Sequence, residues 1–205
     1  MNKMARYKGS NAQSDQESFV LNMLNWKTNG YYLEIGAFDP FITSNTSCLE
    51  TEFAWSGIGV EIREECVVNF KTRKNPCIAA DAITINYSEL LKQHNAPKRI
   101  DYLQIDIDPP MSNLLVLQAM PLEEYRFSVI TFEHDLYLDE QNKFVKDTAR
   151  NIFEDYGYKL IVENVKHEWR AFEDWYVDPS VISEDLWGSI ISNNIDSREL
   201  FIGRD

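Results

Sequence analysis

The sequence is short of the residues that build several common kinds of site. Its 205 residues include only three cysteines, Cys48, Cys66 and Cys77, with no C-x-x-C pair among them. This argues against a structural zinc site and against a disulfide framework, since each needs regularly spaced cysteines. No apolar run approaches the roughly 18 residues of a membrane helix, and no apolar stretch follows the basic N-terminus. We therefore expect a cytoplasmic protein that does not enter a membrane.

Positive charge is also scarce. Lys and Arg number 20 against 33 Asp and Glu, which gives a net charge of -13. Because nucleic-acid binding rests on clustered Lys and Arg, this balance argues against DNA or RNA as a partner. The one basic cluster, residues 71–74, is short, and we interpret it as the solvated end of a helix. The length fits a single domain, residues 1–205.

Seven short apolar segments predict β-strands. Most are nearly continuous apolar runs, which is typical of a sheet covered on both faces. They lie at residues 31–36, 58–62, 77–80, 100–107, 127–133, 158–163 and 199–202. Amphipathic segments alternate with the first six, so the sequence predicts an α/β fold with a mostly parallel sheet and helices on both faces. Right-handed crossovers then bring the carboxyl ends of the strands to one edge, where ligands bind.

Two segments lie outside this alternation. The N-terminal region, residues 1–30, predicts a helix that starts with a capping box formed by Ser14 and Glu17. Residues 165–194, before the last predicted strand, hold His167, Trp169 and Trp175 and several acids. An irregular segment of this length is typical of a functional loop, so we expect it to form a lid over the substrate.

Acidic residues end the first three predicted strands. Glu34 precedes Gly36 on the first, Glu61 ends the second, and Asp81 ends the third. A glycine allows close approach of a cofactor, a second-strand acid can accept both hydroxyls of a ribose, and a short acid can bind an exocyclic amine. Each acid alone is more often a turn or cap residue. Together at successive strand ends they predict one ligand crevice.

The glycines needed for a dinucleotide are missing. Phe38 and Phe41 occupy positions where the G-x-G-x-x-G pattern would need glycine. A pyrophosphate must lie close to the backbone, so this argues against NAD or FAD. S-adenosylmethionine has no phosphate and makes no such demand.

The order of motifs resembles that of the FkbM family of methyltransferases along nearly the whole chain. The first motif is Glu-Ile-Gly-Ala-Phe-Asp-Pro at 34–40 with Ser-Asn-Thr at 44–46, and Trp-Ser-Gly-Ile-Gly-Val-Glu at 55–61 resembles the second strand. Matching segments follow in order at 105–108, 132–135, 156–158 and 172–175. One departure is Ile62-Arg63, where the family usually has Pro-Asn.

The resemblance implies a Rossmann-like class I methyltransferase with a seven-stranded, mostly parallel sheet. Its last strand, here residues 199–202, is expected to run antiparallel to the others. The implied cofactor is S-adenosylmethionine. The residues expected to bind it are Glu34, Gly36, Ala37, Ser44, Asn45, Thr46, Glu61, Ile62, Asp81, Ala82 and Asp106.

The resemblance also implies O-methyl transfer to a hydroxyl of a sugar, a glycan or another small metabolite. Such a hydroxyl needs a general base or a metal ion to lower its pKa. Asp106, Asp108, Glu133 and His134 end the fourth and fifth predicted strands and are the catalytic candidates. His134 fits the base. Alternatively Asp106, Glu133 and His134 hold Mg²⁺, or the acids only cap helices and bind cofactor or water.

Two other functions stay open from the sequence. One is a nucleotide-dependent or sugar-modifying enzyme on a similar fold, and the other is a catalytically inactive module that keeps the cofactor crevice. The sequence identifies neither the acceptor nor the oligomeric state.

Overall fold

A computed structural model describes residues 3–202. Over this range the strands β1 to β10 are Met4–Ala5, Tyr31–Ile35, Ser56–Glu61, Cys77–Ala79, Arg99–Ile105, Arg126–Glu133, Lys159–His167, Arg170–Val177, Ser192–Asn193 and Phe201–Ile202. The helices α1 to α8 are Gln16–Met23, Ser47–Thr51, Glu64–Asn69, Tyr87–Gln93, Pro110–Ala119, Asn142–Asp155, Glu184–Trp187 and Ser197–Leu200. Short 3₁₀ turns follow α3 and β4, at Phe70–Thr72 and Ala82–Thr84.

Eight of the strands form one mixed sheet. Its strand order is β4-β3-β2-β5-β6-β8-β7-β9. The first five strands in this order, β4, β3, β2, β5 and β6, run parallel to one another. Strand β8 runs antiparallel to β6 and to β7, while β9 is parallel to β7. The carboxyl ends of β2, β3, β4, β5 and β6 therefore meet at one edge of the sheet.

The sheet divides the buried apolar side chains into two clusters. Along β2, Tyr32 packs in one cluster while Leu33 packs in the other, as expected when successive side chains point to opposite faces. Leu91, Leu117 and Phe153, from three different helices, cover the Leu33 face. Phe19 of α1, together with Trp55 and Trp175, covers the Tyr32 face. Burial on both faces explains why the strands read as continuous apolar runs.

The predicted α/β fold class is confirmed, but the assignment of its antiparallel strand is wrong. Residues 199–202 hold the end of α8 and the two-residue strand β10, which pairs in parallel with β1 outside the main sheet. The antiparallel strand is β8, Arg170–Val177, which forms a hairpin with β7 and lies between β7 and β6. Its buried Glu173 and Asp174 interrupt the apolar pattern, which is why the segment did not read as a strand.

The predicted lid, residues 165–194, is corrected by the same finding. Residues 170–177 are a central strand, and Ile182, Trp187 and Ile190 pack in the core beneath α1. No described helix has the length and apolar character to cross a membrane.

The N-terminal capping box is also absent. Helix α1 starts at Gln16, and its N-cap position, Asp15, makes no side-chain capping bond. The Glu17 carboxylate instead accepts hydrogen bonds from the backbone N–H groups of Asn11 and Cys48, at 2.9 and 3.0 Å. A local capping signal has thus become a tertiary contact that holds the N-terminal segment against α2.

Candidate cofactor and acceptor site

A cleft of about 520 Å³ opens at the carboxyl ends of β2, β3 and β5. It lies at the edge of the sheet where ligands of α/β folds bind. Four of its thirteen lining residues are acidic and one is basic: the lining consists of Gln13, Glu34, Gly36, Ala37, Phe38, Thr43, Asn45, Glu61, Ile62, Arg63, Asp106, Ile107 and Asp108. Seven of the eleven residues expected to bind a cofactor are in this lining.

Gly36 lies just after β2, in close contact with the backbone that follows β5. It has a positive φ of 86°, and a side-chain carbon at this position would collide with the carbonyl oxygen of Asp106. Only glycine combines that dihedral with that contact without strain. The glycine therefore lets the ends of β2 and β5 meet, which forms the floor of the cleft.

Glu34 is almost completely buried at this floor. It is 1% exposed, and its Oε2 accepts a hydrogen bond from the Thr46 hydroxyl at 2.7 Å. Burial raises its pKa to about 7, although the nearby Arg73 guanidinium and the Thr46 hydrogen bond act in the opposite direction. Glu34 therefore changes its charge near neutral pH, at the floor of the cleft.

Glu61 is held by two backbone groups. Its Oε2 accepts the N–H of Phe38 at 2.9 Å, and its Oε1 accepts the N–H of Arg63 at 2.8 Å. The Arg63 guanidinium lies over the Phe38 ring, 4.5 Å from its centroid. The Arg63 Nε also donates to Oε1, at 3.2 Å. Oε2 therefore keeps a free lone pair for one ligand hydroxyl, and Oε1 can accept a second when the half-exposed Arg63 side chain releases it.

A smaller pocket of about 80 Å³ continues the cleft beneath Ile62. Asp81, Ala82 and Ser112 line it, and it shares Gly36, Glu61 and Ile107 with the main cleft. The Asp81 Oδ1 accepts the N–H of Ile83 at 3.2 Å, which turns the chain at the mouth of this pocket. The end of the third predicted strand, at Asp81, thus lies on the same continuous cavity as the ends of the first two.

The segment 44–46 has one residue in the cleft lining and two that bond to neighbouring protein groups. Ser44 and Thr46 are not in the cleft lining. The Ser44 hydroxyl accepts the N–H of Ser47 at 3.1 Å, and the Thr46 hydroxyl donates to Glu34, so their role as direct ligands stays a prediction. Asn45 does line the cleft, and its buried Oδ1 has no hydrogen-bond partner within the described chain. A buried acceptor without a partner is costly, so this atom is placed to meet a ligand donor.

Carboxyl groups also gather at the ends of β5 and β6. Asp106 and Glu133 lie within hydrogen-bond reach of one another, and burial raises the pKa of both. One carboxyl of such a pair keeps a proton. Burial and the charges of Asp106 and Asp108 raise the pKa of Asp135 to about 7. Glu173, opposite Glu133 in the sheet, has its pKa raised well above the ordinary range, chiefly by burial.

His134 does not face these carboxyl groups. Its side chain is 0% exposed, its Nδ1 accepts the N–H of Leu136 at 3.2 Å, and its Nε2 lies 3.4 Å from Asp174 Oδ1. Asp174 is also paired with Arg150 at 2.7 Å. The Nδ1 is thus occupied by a backbone N–H, and Nε2 makes no hydrogen bond but has Asp174 of β8 as its charged neighbour. Since His134 is also not in the cleft lining, its position does not support it as the base.

The Mg²⁺ hypothesis finds no matching geometry among residues 3–202. No three His, Cys, Asp or Glu side chains of that range are arranged as a metal site, and His134 points away from Asp106 and Glu133.

Several residues of the site were not predicted from the sequence. Gln13, Phe38, Thr43, Arg63 and Ile107 line the cleft. Asn113 is buried behind it, where its Oδ1 accepts the Ile107 N–H at 2.7 Å and its Nδ2 donates to the Glu133 carbonyl at 3.2 Å. Arg63 and Ile107 are next to predicted residues and could have been included. Gln13 is brought in only by the folding of the N-terminal segment, for which the sequence carries no signal.

Comparison with known proteins identifies the fold. No protein-family model and no curated protein sequence matches the chain. Among solved structures, it is similar to an O-methyltransferase from Bacillus cereus in complex with SAH, with a TM-score of 0.56, 13% identity, and 84% of each chain covered. It is also similar to fibrillarin from Aeropyrum pernix with bound S-adenosylmethionine (TM-score 0.52, 14% identity, 74% of this chain and 67% of that one).

A third similar structure is a protein described as an rRNA methylase from Clostridium thermocellum, with a TM-score of 0.54 and 10% identity over 82% of this chain and 97% of that one. The chain has the fold of S-adenosylmethionine-dependent methyltransferases. At these identities the likeness extends to the fold and no further.

Proposed function

We propose that this protein binds S-adenosylmethionine in the cleft and transfers its methyl group to a small acceptor. The observation that carries the proposal is the placing of Glu34, Glu61 and Asp81 around one continuous cavity, on a methyltransferase fold. An acidic cavity suits a cofactor that has a sulfonium and an ammonium group and no phosphate.

The polar groups of the cleft match the parts of this cofactor in order along the sheet edge. The ammonium group of its amino-acid end donates to the unpartnered Oδ1 of Asn45 and to Glu34. The ribose hydroxyls donate to Glu61 through charge-assisted hydrogen bonds. The adenine enters the smaller pocket, where Asp81 accepts from its exocyclic amine. The sulfonium methyl then faces Asp106.

Asp106 is the general base in this proposal. The acceptor hydroxyl attacks the methyl carbon in line, the carbon–sulfur bond breaks with its electron pair left on sulfur, and the hydroxyl proton passes to Asp106. Glu133 keeps its own proton and donates a hydrogen bond to Asp106, so one carboxylate stays available. The raised pKa of Asp106 makes it a better base than an exposed aspartate.

The acceptor in this proposal is a hydroxyl of a sugar, glycan or other small metabolite. Three features support this narrower reading: the FkbM-like order of motifs, the net charge of -13, and the single cationic side chain, Arg63, in the described lining of the cleft. A phosphate backbone would meet repulsion here.

Isothermal titration with S-adenosylhomocysteine, and with NAD⁺ as the competing cofactor, tests the proposal. We expect binding of S-adenosylhomocysteine alone. Binding of NAD⁺ in its place would reassign the cleft to a nucleotide-dependent enzyme. Binding of S-adenosylhomocysteine without methyl transfer to any member of a panel of sugars and hydroxylated metabolites would favour an inactive cofactor-binding module.

A further inference from the structure

Arg73 is a buried cation outside the cleft, although the basic cluster around it predicts a solvated helix end. Its side chain is 0% exposed. It lies just after the 3₁₀ turn Phe70–Thr72, in the connection between β3 and β4. Its Nε and Nη2 donate to Glu50 Oε2 at 3.0 and 2.9 Å, which forms a forked ion pair.

The same guanidinium reaches the segment that carries the cleft residues. It donates to the Pro40 carbonyl and the Ser44 hydroxyl, each at 3.3 Å, and to the Thr46 hydroxyl at 3.0 Å. Thr46 in turn donates to Glu34 at 2.7 Å. One side chain thus contacts both ends of segment 40–46, and Asn45 of that segment lines the cleft.

We propose that Arg73 is a positioning residue of the cofactor site, which holds Glu34, through Thr46, and segment 40–46 in the geometry that binds the amino-acid end of the cofactor. The inference rests on the proposed function. Its geometric basis is that a rigid, planar group makes six hydrogen-bond contacts. They go to three acceptors of segment 40–46, to Glu50 of α2 and to the Tyr32 hydroxyl of β2.

Arg73 also acts on the charge of Glu34. The ionisable groups that face Glu34 are Arg73, Glu17 of α1, Tyr32 on its own strand, Cys77 of β4 and Tyr102 of β5. Arg73 is the cation of this set. It therefore opposes the effect of burial, and its removal should raise the pKa of Glu34 further above about 7.

The affinity for S-adenosylhomocysteine, measured by titration calorimetry between pH 6 and pH 8.5, separates positioning from a merely structural role. In the wild type the affinity should rise with pH through about 7, since the ligand ammonium prefers the Glu34 carboxylate. In Arg73→Met the midpoint should move up by about one pH unit or more, with roughly tenfold weaker binding at pH 7. Arg73→Lys keeps the charge and loses the fork, so binding should weaken at every pH with little movement of the midpoint.

Arg126→Met is the matched control. Arg126 also pairs with a buried aspartate, Asp178, but lies at the opposite edge of the sheet, so its loss should lower the melting temperature and leave the binding profile unchanged. If Arg73→Met does not fold, Thr46→Val cuts the same link to Glu34 without leaving a buried charge, and the midpoint should again rise. A folded Arg73→Met or Thr46→Val protein with the wild-type affinity and pH profile would overturn the inference. A wild type that fails to bind S-adenosylhomocysteine would overturn the proposed function, and this inference with it.

Discussion

The two halves of the site treat their buried carboxylates differently. In the cofactor half, Glu50 is paired with Arg73, and Glu61 accepts two backbone N–H groups and pairs with Arg63. In the acceptor half, Asp106, Glu133, Asp135 and Glu173 take part in none of the ion pairs found among residues 3–202. Charge pairing and hydrogen bonds fix the carboxylates of Glu50 and Glu61 in the first half, where Glu34 alone has its pKa raised to about 7. In the second half burial raises the pKa of all four carboxyl groups.

In the proposed function, this difference separates binding from chemistry. Paired and hydrogen-bonded carboxylates stay charged and rigid, which suits recognition of a ligand of fixed shape. Carboxyl groups with raised pKa values can exchange protons near neutral pH, which suits a reaction step. The predictions below test whether the two halves can be impaired one at a time.

The largest effect is expected from Asp106→Asn, which keeps the shape of the side chain and removes its basicity. Turnover of S-adenosylmethionine with an active acceptor should fall roughly 10²- to 10⁴-fold, as is usual for a lost acid–base group. Affinity for S-adenosylhomocysteine should change little. Asp147→Asn, on the surface of α6, serves as control. Unchanged turnover in Asp106→Asn would remove the proposed base.

Gly36→Ala should impair both halves together, because this position joins β2 to β5. The new methyl group would force the Asp106 carbonyl aside, and the alanine would have to keep the positive φ of Gly36. We expect a loss of roughly 2–4 kcal/mol in the free energy of unfolding, from the sum of dihedral strain and overpacking. Chemical denaturation measures this loss, with Gly157→Ala as the comparison. Gly157 also has a positive φ, but a side-chain carbon there would meet no neighbour. Equal losses in the two variants would mean that the close approach at Gly36 contributes nothing.

Glu61→Gln should affect the cofactor half alone. It keeps the side-chain volume but removes the charge that strengthens the bonds to the ribose. Binding of S-adenosylhomocysteine should weaken by about 1.5–3 kcal/mol, the usual range for hydrogen bonds to a charged group. Calorimetry measures this against Glu64→Gln, an exposed residue three positions along. The same affinity in both variants would contradict the ribose assignment.

The smallest effect on function is expected from His134→Gln. Because His134 is buried beside Asp174 and Arg150, the variant should lose about 1–3 kcal/mol of stability from unsatisfied polar groups, without loss of turnover per folded molecule. Thermal unfolding and the initial rate are measured on the same sample. A fall in rate of 10²-fold or more in a stably folded variant would restore His134 as the base.

The residues that we propose for the cofactor half were largely predictable from the sequence. Glu34, Gly36, Glu61 and Asp81 each follow an apolar run directly, so locating the strands also located the residues. The acceptor half was readable only in part. Asp106 and Glu133 were found in the same way, but the next residue, His134, was assigned a role that its side-chain direction does not support. Position along a strand is local information, whereas side-chain direction after the last strand residue depends on the neighbouring strand.

The sequence by itself determined the α/β class, the parallel direction of the central strands and the acids at their ends. It could do so because apolar patterns and turn residues act over a few residues. Only the tertiary structure decided that Arg170–Val177 is the antiparallel strand, that Glu17 holds the N-terminal segment and that Arg73 is buried against Glu50 and Thr46. Each of these involves a charged residue that burial would penalise heavily if it were left alone. Each has at least one partner more than 20 positions away in the chain, and only the folded molecule shows which partner it meets.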